Sequence, residues 1–580
     1  MSSPNSDAAG STGASGRGAG HVMVAGAAEV RSLMARSRDV VVLAAVIGAA
    51  AGVGVAAFDR LTLEVLFHNI ADAPTWLIAI GPAVGLGLAA LTLRHLGRGA
   101  SPSTTDEYIK AVPDHEVPFD LRAAPARIIA SIATLGLGGA MGYEGPSIFI
   151  GTTVGAGAFE RVRGWLRGVD RRAALVAGAA AGVAAIFKAP ATGAVFALEV
   201  PYQEDLARHS LLPALVGAAS GYTTYVAING TEPLIPVAGN PPIDLRDLGY
   251  AALIGITCGI GARVFALVIK GAKALAERLG AVTRVATGGA VLGALAVISM
   301  EAFDAGPLAL GPGYSSVEFA LDPSRGLWIV VALATIRAAA TAATVAGGGA
   351  GGLFVPLVVQ GALTGRVLAG VFDADNHSLF VVLGIAAFLG AGYRVPLAAV
   401  MFVAEATGRP GFVVPGLIAA TIAQIVMGKA SVSSYQRRMR VGFLEERADL
   451  PIAEVLSTDP AVARPDDTVA LFFAEHVSLA RRRAVPLVDD DGVFLGLVTL
   501  DDVLALDHET WADTQLSEVS RHDVPRGSPG WNLGQALRAM VDGDVDHLPI
   551  VDDSGHLRGM VTSDAILDRS RLMDRLEPDD

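Results

Sequence analysis

Two apolar stretches of this chain, each broken by glycine and proline, occur twice at nearly the same spacing. Gly138-Gly139-Ala140-Met141-Gly142-Tyr143-Glu144-Gly145-Pro146 is answered by Gly348-Gly349-Ala350-Gly351-Gly352-Leu353-Phe354-Val355-Pro356, 210 residues later. Gly151 and Gly155 find Gly361 and Gly365 at the same offset, and Pro190, Phe196 and Glu199 recur as Pro396, Phe402 and Glu405 at an offset of 206. Each half of this region is therefore built as the same unit. Internal duplication with Gly/Pro-broken hydrophobic segments in both halves is the signature of a repeat-built membrane transporter, and the broken segments mark its ion site.

The composition agrees. Only 17% of the 580 residues are charged and 52% are hydrophobic, against about 25% charge in a soluble protein. Apolar segments recur from about residue 40 to 430, several too long for one crossing and others shorter than the roughly 20 residues a spanning helix needs. Tilted, partial helices are expected. The net charge of −13 excludes a nucleic-acid partner, and the single cysteine, Cys258, excludes an intrachain disulfide and reads as a buried apolar residue. No metal-ligand spacing and no nucleophile–base constellation occurs, so neither a metal site, a catalytic site nor an enzyme is expected.

Glu144 stands alone between glycines in an apolar run. The following Gly145-Pro146 favours a tight turn into a helix, which puts Glu144 at a helix N-terminus, where unpaired N–H groups and the helix dipole favour negative charge. An anion would be held at such a place, and a carboxylate there competes with it. The plainer alternative is an interfacial capping carboxylate. A lone charge inside a hydrophobic segment is costly, which makes the residue a functional candidate.

Gly142-Tyr143-Glu144-Gly145-Pro146 and Gly352-Leu353-Phe354-Val355-Pro356 resemble the G-[KR]-E-G-P and G-x-F-x-P segments of the CLC chloride channel and transporter family. The resemblance covers roughly residues 40–435, and Tyr143 departs from the family's usual basic residue. It implies an all-α integral membrane protein, an inverted-repeat bundle of tilted, broken helices over residues 36–440, forming a homodimer in the lipid bilayer with a pore in each subunit. It also implies that Glu144 is a gate: ionised, it fills the anion site; protonated or displaced by an anion, it swings out. Gly145, the Leu353 and Phe354 amides and the Tyr435 hydroxyl would complete the site, with Tyr143 at its mouth.

The family's G-S-G-I-P string is missing. Aligning Gly97–Glu107 to preserve the spacing to Glu144 places Ser103 at the chloride-coordinating serine, with Ser101 and Thr104 as rivals. A hydroxyl donates to an anion without neutralising it. Lys188 either attracts anions or snorkels to the interface. Glu199 and Val200 occupy the internal proton-path position, where many proton-coupled relatives carry a second glutamate. Valine cannot titrate, so the reading is passive, channel-like chloride conduction. A proton-coupled chloride or fluoride antiporter is the alternative. Glu204 and Asp205 are expected to face water.

Residues 1–35 read as a disordered cytoplasmic tail, and Arg31, Arg36 and Arg38 ahead of the first apolar segment place the N-terminus in the cytoplasm of a cell (inner) membrane. Residues 441–580 change character after the basic flank 436–440. Val485-Pro486-Leu487-Val488 and Gly496-Leu497-Val498-Thr499 recur 63 residues later as Leu548-Pro549-Ile550-Val551 and Gly559-Met560-Val561-Thr562. They resemble a tandem pair of cytoplasmic α/β cystathionine-β-synthase (CBS) domains, about 450–508 and 515–572. By that resemblance ATP, ADP or AMP would bind through Thr499 and Asp502, and through Thr562 in the second copy, where Ala565 replaces the acid and Asp564 sits one residue early. No cofactor is required. A membrane-tethered nucleotide sensor that does not conduct is the reading of another class.

Overall fold

The duplicated sequence is a duplicated set of helices. A computed structural model of the chain describes residues 38–113, 119–164, 170–203, 206–237, 244–436, 448, 450–479, 484–543, 545–566 and 568–569. The expected tail with Arg31 and Arg36, the flank from 437 to 440, Glu204 and Asp205 lie outside them. The chain divides into two units, Met1–Met439 and Arg440–Asp580.

The first repeat of the membrane unit runs α1 (Arg38–Ala71), α2 (Thr75–His95), α3 (Thr105–Ala111), α4 (Ala124–Gly136), α5 (Glu144–Val162), α6 (Arg171–Phe187), α7 (Pro190–Glu199) and α8 (Leu211–Asn229). The second runs α9 (Leu245–Arg278), α10 (Ala281–Phe303), α11 (Tyr314–Leu321), α12 (Leu327–Ala346), α13 (Phe354–Val371), α14 (His377–Tyr393), α15 (Pro396–Thr407) and α16 (Val413–Met427). Each helix has its counterpart eight places on: α1 and α9 both span 34 residues, and α6 and α14 both span 17. Among the described residues eight helices are long and apolar enough to cross a membrane.

The breaks have local causes. Lys188 (φ 52°) ends α6 in the left-handed conformation and Arg394 (φ 58°) ends α14 the same way. Pro190 and Pro396 then open the next helices, where proline's missing N–H costs nothing. α5 and α6 touch backbone to backbone: a Cβ on Gly151 would overlap the Gly178 carbonyl, and one on Gly178 the Gly151 carbonyl. Gly361 and Gly384 repeat this between α13 and α14. Small residues let helices approach this closely in lipid.

α1 continues past the apolar stretch 40–58. Asp59 and Arg60 do not end it because α8 satisfies them. Tyr225 and Asn229 donate to the Asp59 carboxylate, and Arg60 donates to the Ile228 carbonyl.

In the second unit each copy supplies an antiparallel hairpin, β1 (Ala484–Val488) with β2 (Phe494–Thr499) and β3 (His547–Val551) with β4 (Leu557–Thr562). The turns meet reciprocally: the Phe494 amide donates to Gly555 and the Leu557 amide to Gly492. At the second turn Asp552 loses some hydration, which acts upward on its pKa. The His556 amide, the Arg558 guanidinium and the Ser554 amide outweigh this and hold the carboxyl at about 2. A depressed pKa contributes stability that is complete above the ordinary carboxylate value of about 3.9 and lost as pH falls through the folded value. Asp552→Asn should therefore lower the melting temperature of this unit at pH 7 by several degrees, and the gap to wild type should close by pH 2 in thermal unfolding.

Candidate anion site

The loops ahead of α5 and α13 are joined across the two repeats by bonds that come in exchanged pairs. The Gly142 amide donates to Gly352 at 2.8 Å and the Gly352 amide to Gly142 at 2.9 Å. The Ala140 amide donates to Thr344 Oγ1 at 3.0 Å, and the Ala350 amide to Thr134 Oγ1 at 3.1 Å. Such reciprocity is what a two-fold axis produces. Glu144 Oε1 accepts the amide of Phe354 at 2.6 Å. Phe354 is the repeat counterpart of Glu144, and a residue that bonds its own counterpart lies beside the axis.

The carboxylate is enclosed. Glu144 has no exposed surface, and its Oε2 has no hydrogen-bond partner. A Cβ on Gly142 or on Gly352 would overlap it. The glycines of the duplicated motif are thus the cradle of the acid, and the first N–H of α13 is its donor.

Around this point Phe354 packs on Phe187 (4.4 Å between ring centroids), Phe402 (5.0 Å) and Phe196 (5.3 Å), and Phe196 meets Tyr393 edge-on at 5.9 Å. This cluster is also symmetric, with Phe196 matching Phe402 and Phe187 matching Tyr393 at an offset of 206. The Tyr393 hydroxyl accepts the Leu353 amide at 3.3 Å, leaving its own proton free to donate. Thr104 brings a buried hydroxyl without a partner, its Oγ1 against Gly145, and Thr105 brings a second buried hydroxyl on the side of Tyr393. Arg127 in α4 fixes their loop by donating to the Ser101 carbonyl and pairing with Glu107 at 3.2 Å. An anion replacing the carboxylate would meet one helix-end amide and neutral hydroxyls, with no full positive charge to trap it.

The expected residues divide. Glu144, Gly145, Leu353 and Phe354 come together as the motif implied. Ser103 is half-buried, its amide bonded to the Ser101 hydroxyl, and lines a cavity of about 450 Å³ that reaches Leu353 and Tyr393. Tyr435 lines the same cavity but is 48% exposed, and Lys110 sits over its ring at 3.9 Å. Its hydroxyl is not the tyrosine oxygen at the Leu353 amide; that one belongs to Tyr393. Sequence reasoning missed Tyr393, although the duplication carried the signal, since tyrosine stands there where the first repeat has Phe187. Tyr143 is buried edge-on against Phe58, and Lys188 donates to the Glu232 carbonyl.

Glu199 has a structural engagement. Its carboxylate accepts the Leu397 and Ala398 amides at the start of α15, at 3.2 and 2.9 Å. Glu405 accepts the Ala191 and Thr192 amides and the Thr192 hydroxyl at the start of α7. Each glutamate ends or nearly ends one half-helix and caps the N-terminus of its counterpart. Val200 is fully buried, and its carbonyl accepts Gln436 Nε2 at 2.9 Å.

In the second unit Thr499 and Asp502 form a capping box, the hydroxyl donating to Asp502 at 2.6 Å, and Arg521 pairs with Asp502 at 2.7 Å. Thr562 Oγ1 accepts the Ala565 amide. Thr499, Thr562, Asp564 and Arg521 line a cavity of about 250 Å³, which Asp502 does not line.

Comparison with known proteins gives three findings. The family described as voltage gated chloride channel matches residues 84–428, and CBS domains match 452–509 and 516–571. Among solved structures, a slow cyanobacterial Cl⁻/H⁺ antiporter shares the fold with TM-score 0.60 at 21% identity, over 67% of this chain and 95% of its own. A CLC-type fluoride/proton antiporter gives 0.60 at 23% identity, over 69% and 98%, and a eukaryotic CLC transporter gives 0.58 at 18%, over 92% and 98%.

The crossed caps carry a test. Glu199→Ala and Glu405→Ala each strand buried helix-end amides, at about 1–3 kcal/mol per unsatisfied group. Both should lower the unfolding temperature in detergent by comparable amounts. If only one does, the two ends are not equivalent.

Proposed function

Because the chain belongs to the voltage-gated chloride channel family, a family of anion transporters, we propose that it carries chloride-class anions through the pocket Glu144 occupies, gated by protonation of that residue. The observation that carries this is the 2.6 Å bond from the Phe354 amide to the Glu144 carboxylate, an acid seated where a helix end would hold an anion. Stripping a small ion of water costs of order 20 kcal/mol in the idealised limit. The Phe354 amide and the hydroxyls of Tyr393 and of Thr104 or Thr105, in place of Ser103 and Tyr435, share that load. Protonation removes the competing charge, and the anion takes the vacated place.

Passive conduction is supported by Val200, which cannot carry a proton, and by Glu199, whose carboxylate is engaged as a cap. Proton-coupled exchange is the second reading, supported by the complete enclosure of Glu144, since an exchanger must keep its site from opening to both sides at once. Paired halide and proton fluxes from purified vesicles separate them: passive conduction moves chloride without driving proton uptake. The protein works as a homodimer in a cell membrane with its N-terminus and CBS pair in the cytoplasm, and the cavity beside Thr499 and Thr562 takes an adenine nucleotide. A nucleotide there must leave or displace the Arg521–Asp502 pair.

Glu144→Gln should make chloride efflux from liposomes largely independent of pH. An unchanged pH profile would remove Glu144 from the gate. Tyr393→Phe should weaken chloride binding about tenfold, the scale of one hydrogen bond of about 1.4 kcal/mol, while Tyr435→Phe leaves it unchanged in titration calorimetry.

A further inference from the structure

Arg337, in the middle of α12, is 1% exposed, and among the described residues its hydrogen-bond partners are all carbonyls. Its Nη1 is shared among Leu308, Ala309, Leu310 and Gly311 at 3.0 to 3.2 Å. Its Nη2 meets Gly311 and Pro312 at 3.2 and 3.0 Å. Five successive carbonyls thus converge on one guanidinium. They belong to the connection between α10 and α11, where residues 308–313 are buried. Non-helical backbone at membrane depth survives only where the protein supplies the missing partners, and here one side chain does so.

The duplication offers a comparison within the same molecule. Arg127 precedes Arg337 by 210 residues, and Ser101 and Gly138 precede Gly311 and Gly348 by the same offset. In both halves the arginine donates to the equivalent loop carbonyl, Arg127 to Ser101 at 3.1 Å and Arg337 to Gly311 at 3.2 Å. There the likeness stops. Arg127 directs its Nη2 to the Glu107 carboxylate at 3.2 Å, and Ser101 and Gly348 are both walls of the cavity of about 450 Å³. Their counterparts Gly311 and Gly138 are in contact. The Gly311 amide donates to the Gly138 carbonyl at 3.3 Å, and a Cβ on Gly138 would lie 3.1 Å from Leu310 Cδ1. One pair of equivalent loops stands apart, and the other is shut. The shut pair includes Gly138, which opens the loop that carries Glu144.

We propose that Arg337 is a positioning residue for the gate. By gathering five carbonyls it holds loop 308–313 closed on Gly138, so that the way out of the pocket runs past Glu144 alone. The axis of an inverted repeat lies in the membrane plane, so this seal is on the face opposite the cavity. Arg127, divided between Ser101 and Glu107, leaves the cavity side open. A guanidinium suits the task because it is a rigid fork of five N–H donors.

The seal matters to conduction only if Glu144 is the gate, and two readouts on the full-length protein in liposomes keep these ideas apart. Cys258→Ala removes the single native cysteine. Leu310→Cys then reports on the seal and Ser103→Cys on the cavity, each labelled by a membrane-impermeant thiol reagent added to one face at a time. With Arg337 present, Leu310→Cys should be protected from both faces. With Arg337→Gln it should react at least about tenfold faster, the shift in loop opening expected for one lost hydrogen bond. It should do so only from the face that does not label Ser103→Cys, and chloride efflux at high pH should rise in parallel. Arg337→Lys, with three donors for five carbonyls, should label at an intermediate rate. That variant decides alone if Arg337→Gln does not fold, and a rate no faster than with arginine then overturns the seal. Equal labelling with and without Arg337 also overturns it, as does labelling from the face that reaches Ser103→Cys. Faster labelling without a rise in high-pH efflux does the same, since it marks a loop fastening away from the anion path. If Glu144→Gln keeps the wild-type pH response of efflux, the gate fails instead, which the labelling does not register.

Discussion

A pseudo-two-fold axis between the repeats governs the membrane unit. The exchanged pairs Gly142–Gly352, Thr134–Ala350 with Thr344–Ala140, and Glu199 and Glu405 with each other's helix start are one operation applied three times. Half-helices cannot satisfy their own ends inside a membrane, where each unsatisfied backbone group costs several kcal/mol. Each repeat supplies what the other lacks, so neither set of broken helices is stable alone. The breaks in turn leave helix N-termini pointing inward at the axis, which is the property an anion site requires.

The symmetry is violated at the acid. At one pair of equivalent positions the first repeat has Glu144 and the second Phe354, and the acid bonds the amide of its own counterpart. Two glutamates would face each other across the axis and repel, and two phenylalanines would leave the amide without an acidic occupant. The same asymmetry recurs one layer away, where Phe187 packs on Phe354 while its counterpart Tyr393 offers a hydroxyl to the loop. One repeat contributes the charge, and the other the amide that meets it and the Tyr393 hydroxyl beside it.

Much of this was legible in the sequence, because repeats report themselves through spacing. The offsets of 210 and 206 located the paired loops and the restarted helices, and the glycine motif located the cradle. What escaped was chemistry set by tertiary placement. Chain position singles out Ser103 and Tyr435, and both line the cavity that reaches Leu353, while the turn through Ser101–Thr104, held by Arg127, also buries two threonines that position alone does not rank above Ser103. Tyr435 lies beyond the last helix, half exposed beneath Lys110. Asp59 ended the apolar run that was read as the first span, and only the partners on α8, some 170 residues away, show why the helix continues through it.

The most direct test of the shared pocket is anomalous diffraction from crystals grown in bromide. In Glu144→Gln the account predicts a bromide peak within hydrogen-bond reach of the Phe354 amide, at the place the wild-type carboxylate fills, and no such peak in the wild type at high pH. A peak there with the wild-type carboxylate still bound to that amide, or bromide only at other positions in the variant, would contradict it.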